Sequence, residues 1–394
     1  MGTKGLFASP SPGWKGRKMA SIACFAGIVC LSLIWGIGIS ACSDDDPVKK
    51  NPYLQVVTRA LLKEQVKVVF NNIDNNLDVT VDFGDGTVLT GRGGNPIIHA
   101  YEQSGDYTLQ VTAGEYSVSK RIRVYKLLAL TEAMKQFKET SNKTVWALAH
   151  RAHTTDRNIP ENSVSAVKAA IAAGADVVEC DTHRTSDGVI VVCHDQWIDA
   201  TTDGTGDITK MTYADIQKYN LKNRDGKVTS EKMPTLEEFL KAGRGKVYFN
   251  LDYSPRTAST EEVLSIVKSL DMMESVFFYC NGADKVQEVL SLDAGAHVYP
   301  WGSPDVYAPL LKRDGVYFAQ LNFNPNGNNN AGSVVSDGLV LTANMLNVQY
   351  QEIPEFALDN GLLDRLLAAY PQVHMIQTDV PGLLIGRLKD LGRR

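Results

Sequence analysis

The chain has 394 residues, 44% of them hydrophobic and 22% charged, with a formal net charge of −5. These are globular proportions and exclude a largely disordered chain, while the length suits two domains better than one. Lysine and arginine form no cluster beyond the N-terminus, which argues against nucleic acid as a partner.

In chain order, the first element is an address. Lys15, Arg17 and Lys18 precede an apolar run, 20–41, that ends in Ile39-Ser40-Ala41-Cys42 and passes into Ser43-Asp44-Asp45-Asp46. The tetrapeptide resembles a bacterial lipobox. That implies a lipoprotein signal peptide over 1–41, with Met19 a candidate start, and lipidation at Cys42. The run is also long enough to span a membrane uncleaved, but Cys42 in this place favours the lipid anchor, with 42–52 as a tether. The acidic run resembles the surface-export signal of some Gram-negative lipoproteins. The expected location is therefore the outer membrane or cell surface, with the periplasmic face as the alternative and the protein held to the membrane by its N-terminal lipid. Cys180, Cys193 and Cys280 lie in apolar runs without recognised spacing and are expected to be buried thiols, neither disulfide-bonded nor nucleophilic.

Residues 53–126 carry short alternating runs with no helical period. Val79-Thr80-Val81-Asp82-Phe83 leads into the turn string Gly84-Asp85-Gly86, and further strands are read at 99–101, 105–111 and 117–125. The pattern predicts a small antiparallel β-sandwich. Asp82-Phe83-Gly84-Asp85-Gly86-Thr87, with His99-Ala100-Tyr101 and Gly105-Asp106-Tyr107-Thr108, resembles the polycystic-kidney-disease (PKD) repeat, an immunoglobulin-like module. The resemblance implies a spacer or adhesion role. Asp82 and Asp85 are expected to cap turns rather than to bind Ca²⁺.

Residues 127–144 read as a helix-like linker. From 145 to 394 apolar strand runs alternate with helical stretches at 163–173, 213–218, 235–242, 260–270, 284–292, 354–359, 362–370 and 381–391. Such alternation predicts parallel β/α architecture, and about 250 residues is the size of a (β/α)₈ TIM barrel. The strand candidates are 145–149, 176–178, 189–193, 246–249, 276–280, 297–300, 316–321, 339–343 and 374–378, one more than a barrel needs. Of these, 297–300 and 316–321 carry the weakest signal. Residues 322–332 are a low-complexity Asn/Gly loop.

The chemistry gathers at the ends of the first four candidates, which are followed by His150-Arg151, Glu179-Cys180-Asp181, His194-Asp195 and Asn250-Leu251-Asp252. Alternation puts Glu179 and Asp181 on one face of their strand. In a parallel barrel the C-terminal strand ends form the active-site face. Glu179, Asp181 and Asp252 offer hard oxygen ligands suited to Mg²⁺ or Ca²⁺, and without a cation between them they would repel one another. His150 and His194 are a candidate acid–base pair. These residue types together point to metal-assisted cleavage of a phosphate ester.

The ordered strings Ala147-Leu148-Ala149-His150-Arg151, Pro160-Glu161-Asn162-Ser163, Glu179-Cys180-Asp181, Ser186-Asp187-Gly188, His194-Asp195 and Met233-Pro234-Thr235-Leu236-Glu237-Glu238 closely resemble the glycerophosphodiester phosphodiesterase family. The resemblance is strong over 145–255 and weak over 256–391, where it ends in Gln377-Thr378-Asp379-Val380-Pro381. It implies a TIM barrel, a divalent cation (Ca²⁺ or Mg²⁺) and hydrolysis of a glycerophosphodiester to glycerol 3-phosphate and an alcohol. It also implies that His150 and His194 exchange protons around the phosphate, through a cyclic glycerophosphate, while Arg151 holds a non-bridging oxygen.

Several residues depart from the family. Ala152-His153 stands where Gly is usual, so Ala152 is acceptable if its φ is negative, and His153 adds a nitrogen at the pocket mouth that is a candidate for substrate contact. Asp252, with Ser254 two residues on, replaces the usual Glu and Lys. The late Trp-Thr-Val-Asn strand is missing; Leu341-Thr342-Ala343-Asn344 is its candidate replacement, with Trp301, Phe323 and Tyr253 as candidate pocket wall. Glu161 is placed to meet substrate or to orient His150 or Arg151, although capping is expected for Glu161, Asn162 and Ser163 ahead of 163–173. Asp195 is expected to position His194. Two other readings stand beside the leading one. In the first, the barrel acts on another phosphodiester head group, of glycerophosphoinositol or sphingolipid type. In the second, it is an inactive binding or adhesion lipoprotein.

Overall fold

A computed structural model of the chain describes residues 52–57, 59–137, 139, 142–253, 257–301, 318–321, 340–346 and 361–394. The expected signal peptide, Cys42, Ser254, Phe323, the Asn/Gly segment and the expected helix at 354–359 lie outside the described residues. No helix among the described residues is long and apolar enough to cross a membrane.

Eight strands build the N-terminal sandwich: β1 (Tyr53–Gln55), β2 (Arg59–Leu61), β3 (Gln65–Asn71), β4 (Asp78–Asp82), β5 (Val88–Arg92), β6 (Ile97–Ala100), β7 (Gly105–Ala113) and β8 (Tyr116–Tyr125). They form a three-stranded sheet, β1-β3-β6, and a five-stranded sheet, β2-β8-β7-β4-β5. Period-two alternation sends Val66, Val68, Phe70, Val79, Val81, Leu109 and Val111 into the space between the sheets, where all are buried. The pairing is not wholly antiparallel, because β2 runs parallel to β8. Asp82 and Asp85 accept the Gly84 and Thr87 amides at 2.8 and 3.0 Å and so cap the turn.

The barrel strands are β9 (Trp146–Ala149), β10 (Val177–Arg184), β12 (Tyr248–Asp252), β13 (Val276–Asn281), β14 (His297–Trp301), β15 (Phe318–Leu321), β16 (Val340–Met345) and β17 (Val373–Thr378). All eight are parallel, in the order β14-β13-β12-β10-β9-β17-β16-β15. Its two ends, β14 and β15, meet through the Tyr299 and Phe318 rings, 5.9 Å apart. The weak candidates 297–300 and 316–321 therefore each contribute a barrel strand, the second over its described residues Phe318–Leu321, and the ninth candidate, 189–193, does not. Its core, β11 (Ile190–Val192), pairs antiparallel with the far end of β10. It opens an insertion whose Val191, Cys193, Ile198, Ile208, Ile216, Leu221 and Met233 make a separate apolar cluster.

The linker helix α1 (Leu130–Phe137) is packed rather than free. It buries Leu130, Met134 and Phe137 against the inward residues Leu148, Val177, Tyr248, Phe277, Phe318 and Met375. At about 1.5–3 kcal/mol for each fully buried side chain, this closes the amino-terminal end of the barrel firmly. Outside lie α2 (Val164–Ala173), α3 (Tyr213–Ile216), α4 (Leu236–Gly243), α5 (Thr260–Ser269), α6 (Ala283–Leu292), α7 (Leu362–Ala369) and α8 (Pro381–Asp390). The Thr235-Leu236-Glu237-Glu238 string is a capping box for α4, so its role is structural.

Candidate metal and acid–base site

Alternation along β10 and β12 turns Cys180 and Leu251 outward into the apolar shell and leaves Glu179, Asp181 and Asp252 on the inner face. Asp181 stands in register with Asp252 on the neighbouring strand. One oxygen from each of the three carboxylates falls within 4.8 Å of the others. Burial, then Asp181 and Asp252, drive the Glu179 carboxyl well above its ordinary range. Nearby, the side-chain oxygens of Asn162 and Asn250 are buried with no hydrogen-bond partner. Buried anionic oxygens beside unsatisfied amide oxygens are a hard-ligand environment, and a divalent cation of the Mg²⁺ or Ca²⁺ kind fits it.

The turn after β9 shapes the second half. Arg151 and Ala152 both adopt positive φ, 50° and 58°. The condition under which Ala152 is unstrained therefore fails, at a cost of about 1–2 kcal/mol for each such residue. This turn aims the Arg151 amide at Glu179, 2.7 Å away. The Arg151 guanidinium lies 3.2 Å from Glu161 and 3.7 Å from Asp181. Asn162, also at positive φ, does not cap α2. Its amide donates to Asp181 at 3.1 Å, whereas Ser163 caps the helix by accepting the Ala166 amide. Glu161 likewise turns to Arg151 and His153, not to the helix end.

His150 is held by Asp379, Nδ1 to Oδ1 at 2.8 Å. An ionised carboxylate only accepts, so Nδ1 carries the hydrogen and Nε2 is left for chemistry. Burial holds the His150 ring below its usual range, with Asp379 opposing. His153, only 8% exposed, contacts Asp379 at 2.8 Å and Glu161 at 3.2 Å. Burial raises the Glu161 carboxyl, but His153 and Arg151 outweigh it and hold it at about 2.

His194 does not end a barrel strand as the sequence reading placed it. It ends β11, which folds back so that the Cys193 amide donates to the Asp181 carbonyl at 2.9 Å. The hairpin thus brings the residue before His194 alongside the Asp181 backbone. Asp195 meets the His194 Nδ1 at 2.7 Å, and His183 meets the His194 carbonyl at 3.1 Å. Cys180, Cys193 and Cys280 are buried and form no disulfide, and burial pushes Cys193 up to about 12. Tyr253 is buried in the outer shell rather than lining a pocket, while Trp301 and Asn344 are exposed.

Comparison with known proteins finds the same two resemblances. The profile of the glycerophosphoryl diester phosphodiesterase family matches residues 150–303, and that of the PKD domain matches 54–118. The match to this family is confined to residues 150–303. A glycerophosphodiester phosphodiesterase of Caldanaerobacter subterraneus subsp. tengcongensis is 40% identical over 92 residues, which is 23% of this chain and 37% of that protein. Glycerophosphodiester phosphodiesterase 1 of Homo sapiens is 42% identical over 98 residues, 23% of this chain and 28% of that protein. The aligned stretch thus spans about a third of these relatives' own length. The crystal structure of a glycerophosphoryl diester phosphodiesterase from Parabacteroides distasonis matches with a TM-score of 0.58 at 18% identity. That match covers 68% of this chain and 93% of the other, and carries the fold. Within the barrel, Asp379, which holds His150 and His153, and His183, which meets the His194 carbonyl, are two contacts of the candidate site that the sequence motifs do not single out. Asp379 directly follows the last strand, the same position that singled out His150; nothing marked His183.

Proposed function

We propose that the chain hydrolyses glycerophosphodiesters to glycerol 3-phosphate and an alcohol with a divalent cation, Ca²⁺ or Mg²⁺, held by Glu179, Asp181 and Asp252. The observation that carries this reading is Arg151. Its amide binds a carboxylate of the candidate cation site, and its residue adjoins an Asp-held imidazole. When bound, the cation supplies positive charge for the phosphate oxygens. Arg151 holds a non-bridging oxygen of the phosphate. His150, through Nε2, and His194 divide the proton work: one takes a proton from the attacking oxygen and the other gives one to the departing alkoxide. Asp195 positions His194. The N-terminal sequence supports an exported, lipid-anchored protein with Cys42 as its lipidated residue.

The test is release of glycerol 3-phosphate by the chain lacking its first 44 residues. Glycerophosphocholine, glycerophosphoethanolamine and glycerophosphoinositol are each supplied with Ca²⁺, Mg²⁺ or EDTA. Product with metal and none with EDTA is expected. No product from any of the three, with metal still bound, overturns the substrate class.

A further inference from the structure

We propose that His153 is a positioning residue that couples His150 to Arg151 through two carboxylates. The roles of His150 and Arg151 rest on the function proposed above; the linkage itself rests on geometry. The family's usual His-Arg-Gly is here His150-Arg151-Ala152-His153. The two positive-φ residues close a tight turn in which the His153 amide donates to the His150 carbonyl at 2.8 Å. This folds the second imidazole back, edge to face with the first, ring centres 5.7 Å apart.

A single chain of contacts results. Arg151 donates to Glu161 Oε1 at 3.2 Å, and Glu161 Oε2 faces His153 Nε2 at 3.2 Å. His153 Nδ1 faces Asp379 Oδ1, and the same oxygen faces His150 Nδ1, both at 2.8 Å. Ionised carboxylates only accept, so His153 donates from both nitrogens. It therefore fixes the rotamers of both acids, and through them the ring that moves protons and the guanidinium that grips phosphate. His150, His153 and Asp379 also lie close enough to be read as a metal group. A cation held through the two Nδ1 atoms would break both hydrogen bonds to Asp379 and add positive charge beside Arg151. Positioning is the reading the contacts carry.

The two amide replacements separate the two arms, because an Asn amide nitrogen overlays His Nδ1 and a Gln amide nitrogen overlays Nε2. Histidine-ring ¹⁵N spectra of metal-free protein report the His150 tautomer, and steady-state kinetics report kcat and KM separately. In H153A, His150 is expected to lose its fixed Nδ1–H signal, with kcat/KM falling about 10–100-fold. H153N is expected to keep the His150 signal and kcat while KM rises; H153Q is expected to keep KM while kcat falls and the His150 signal changes. A wild-type His150 spectrum in both H153A and H153Q overturns the linkage. Should the wild-type protein release no glycerol 3-phosphate, the functional reading fails, but the spectra still decide the linkage. The near-isosteric Asn and Gln variants serve if H153A does not fold.

Discussion

Ala152 sets two residue-scale effects against each other. At φ 58° an alanine costs about 1–2 kcal/mol relative to an unstrained backbone. Its methyl is fully buried, and removing it forfeits about 0.8 kcal/mol, with a further 0.4–1 kcal/mol from the looser unfolded chain. The terms nearly cancel, so Ala152→Gly is expected to shift unfolding free energy by less than about 1 kcal/mol; a loss of about 1.2–1.8 kcal/mol in denaturant, the sum of the last two terms alone, would show that the turn is not strained. Glu179 makes a sharper prediction. Its carboxyl is held above the ordinary 4.5, so the metal-free fold keeps a proton that the unfolded chain has released. Stability of the metal-free protein should therefore fall as pH rises from 4.5 through the folded value. Cation binding should expel that proton. Calorimetric binding enthalpies for Mg²⁺ or Ca²⁺ should then differ between buffers of different ionisation enthalpy, an effect absent in Glu179→Gln. Buffer-independent enthalpy would mean that all three carboxylates are already ionised.

At the scale of elements, the carboxylate group was legible because period-two alternation survives in any strand: Glu179 and Asp181 share a face whatever surrounds them. The barrel class was legible from βα alternation for the same reason. What the sequence concealed was pairing. The runs 189–193 and 297–300 look alike as apolar strings, and only the partners separate them. Ile190–Val192 meets the far end of β10 antiparallel, whereas His297–Trp301 lies beside β13 in parallel. The partner of Asp379 was hidden for a related reason: although its place after the last strand marks it, it joins His150 across 229 residues, and no local pattern records such a contact. The insertion that carries His194 has its own small core, in which Ile198 and Ile208 are fully buried. Ile208→Ala should cost about 2–5 kcal/mol locally. Amide exchange should quicken across 185–234 while β9, β12 and β17 keep their protection, and activity should fall with the loosened His194. Uniform loss of protection would show that the insertion and barrel unfold as one.

At the scale of the whole molecule, the sandwich and the barrel's amino-terminal rim meet around Asp176, opposite the carboxylate face. Asp176 accepts the Ala147 amide at 2.9 Å and pairs with Arg394, whose side chain is only 8% exposed. From the sandwich side Arg59 reaches Asp176 at 3.7 Å and donates to the Gly174 carbonyl, where α2 ends. Lys246 meets Glu64 at 2.5 Å, and Tyr125 donates to the Lys246 carbonyl at 3.1 Å. These contacts are unequal. Asp176→Ala leaves Arg394 buried with a missing partner and a barrel strand with a lost hydrogen bond, which should cost about 3–5 kcal/mol. Arg59→Ala leaves the Asp176–Arg394 pair intact and removes a partly exposed contact, so thermal unfolding of the barrel should move by about 1 kcal/mol or less. Its effect should appear instead in the relation between the two halves. Small-angle scattering should show a broader distribution of shapes, and proteolysis should quicken at residues 126–129 while turnover stays unchanged. If Arg59→Ala destabilised the barrel as severely as Asp176→Ala, the sandwich would be part of the barrel's own core rather than a module docked beneath it.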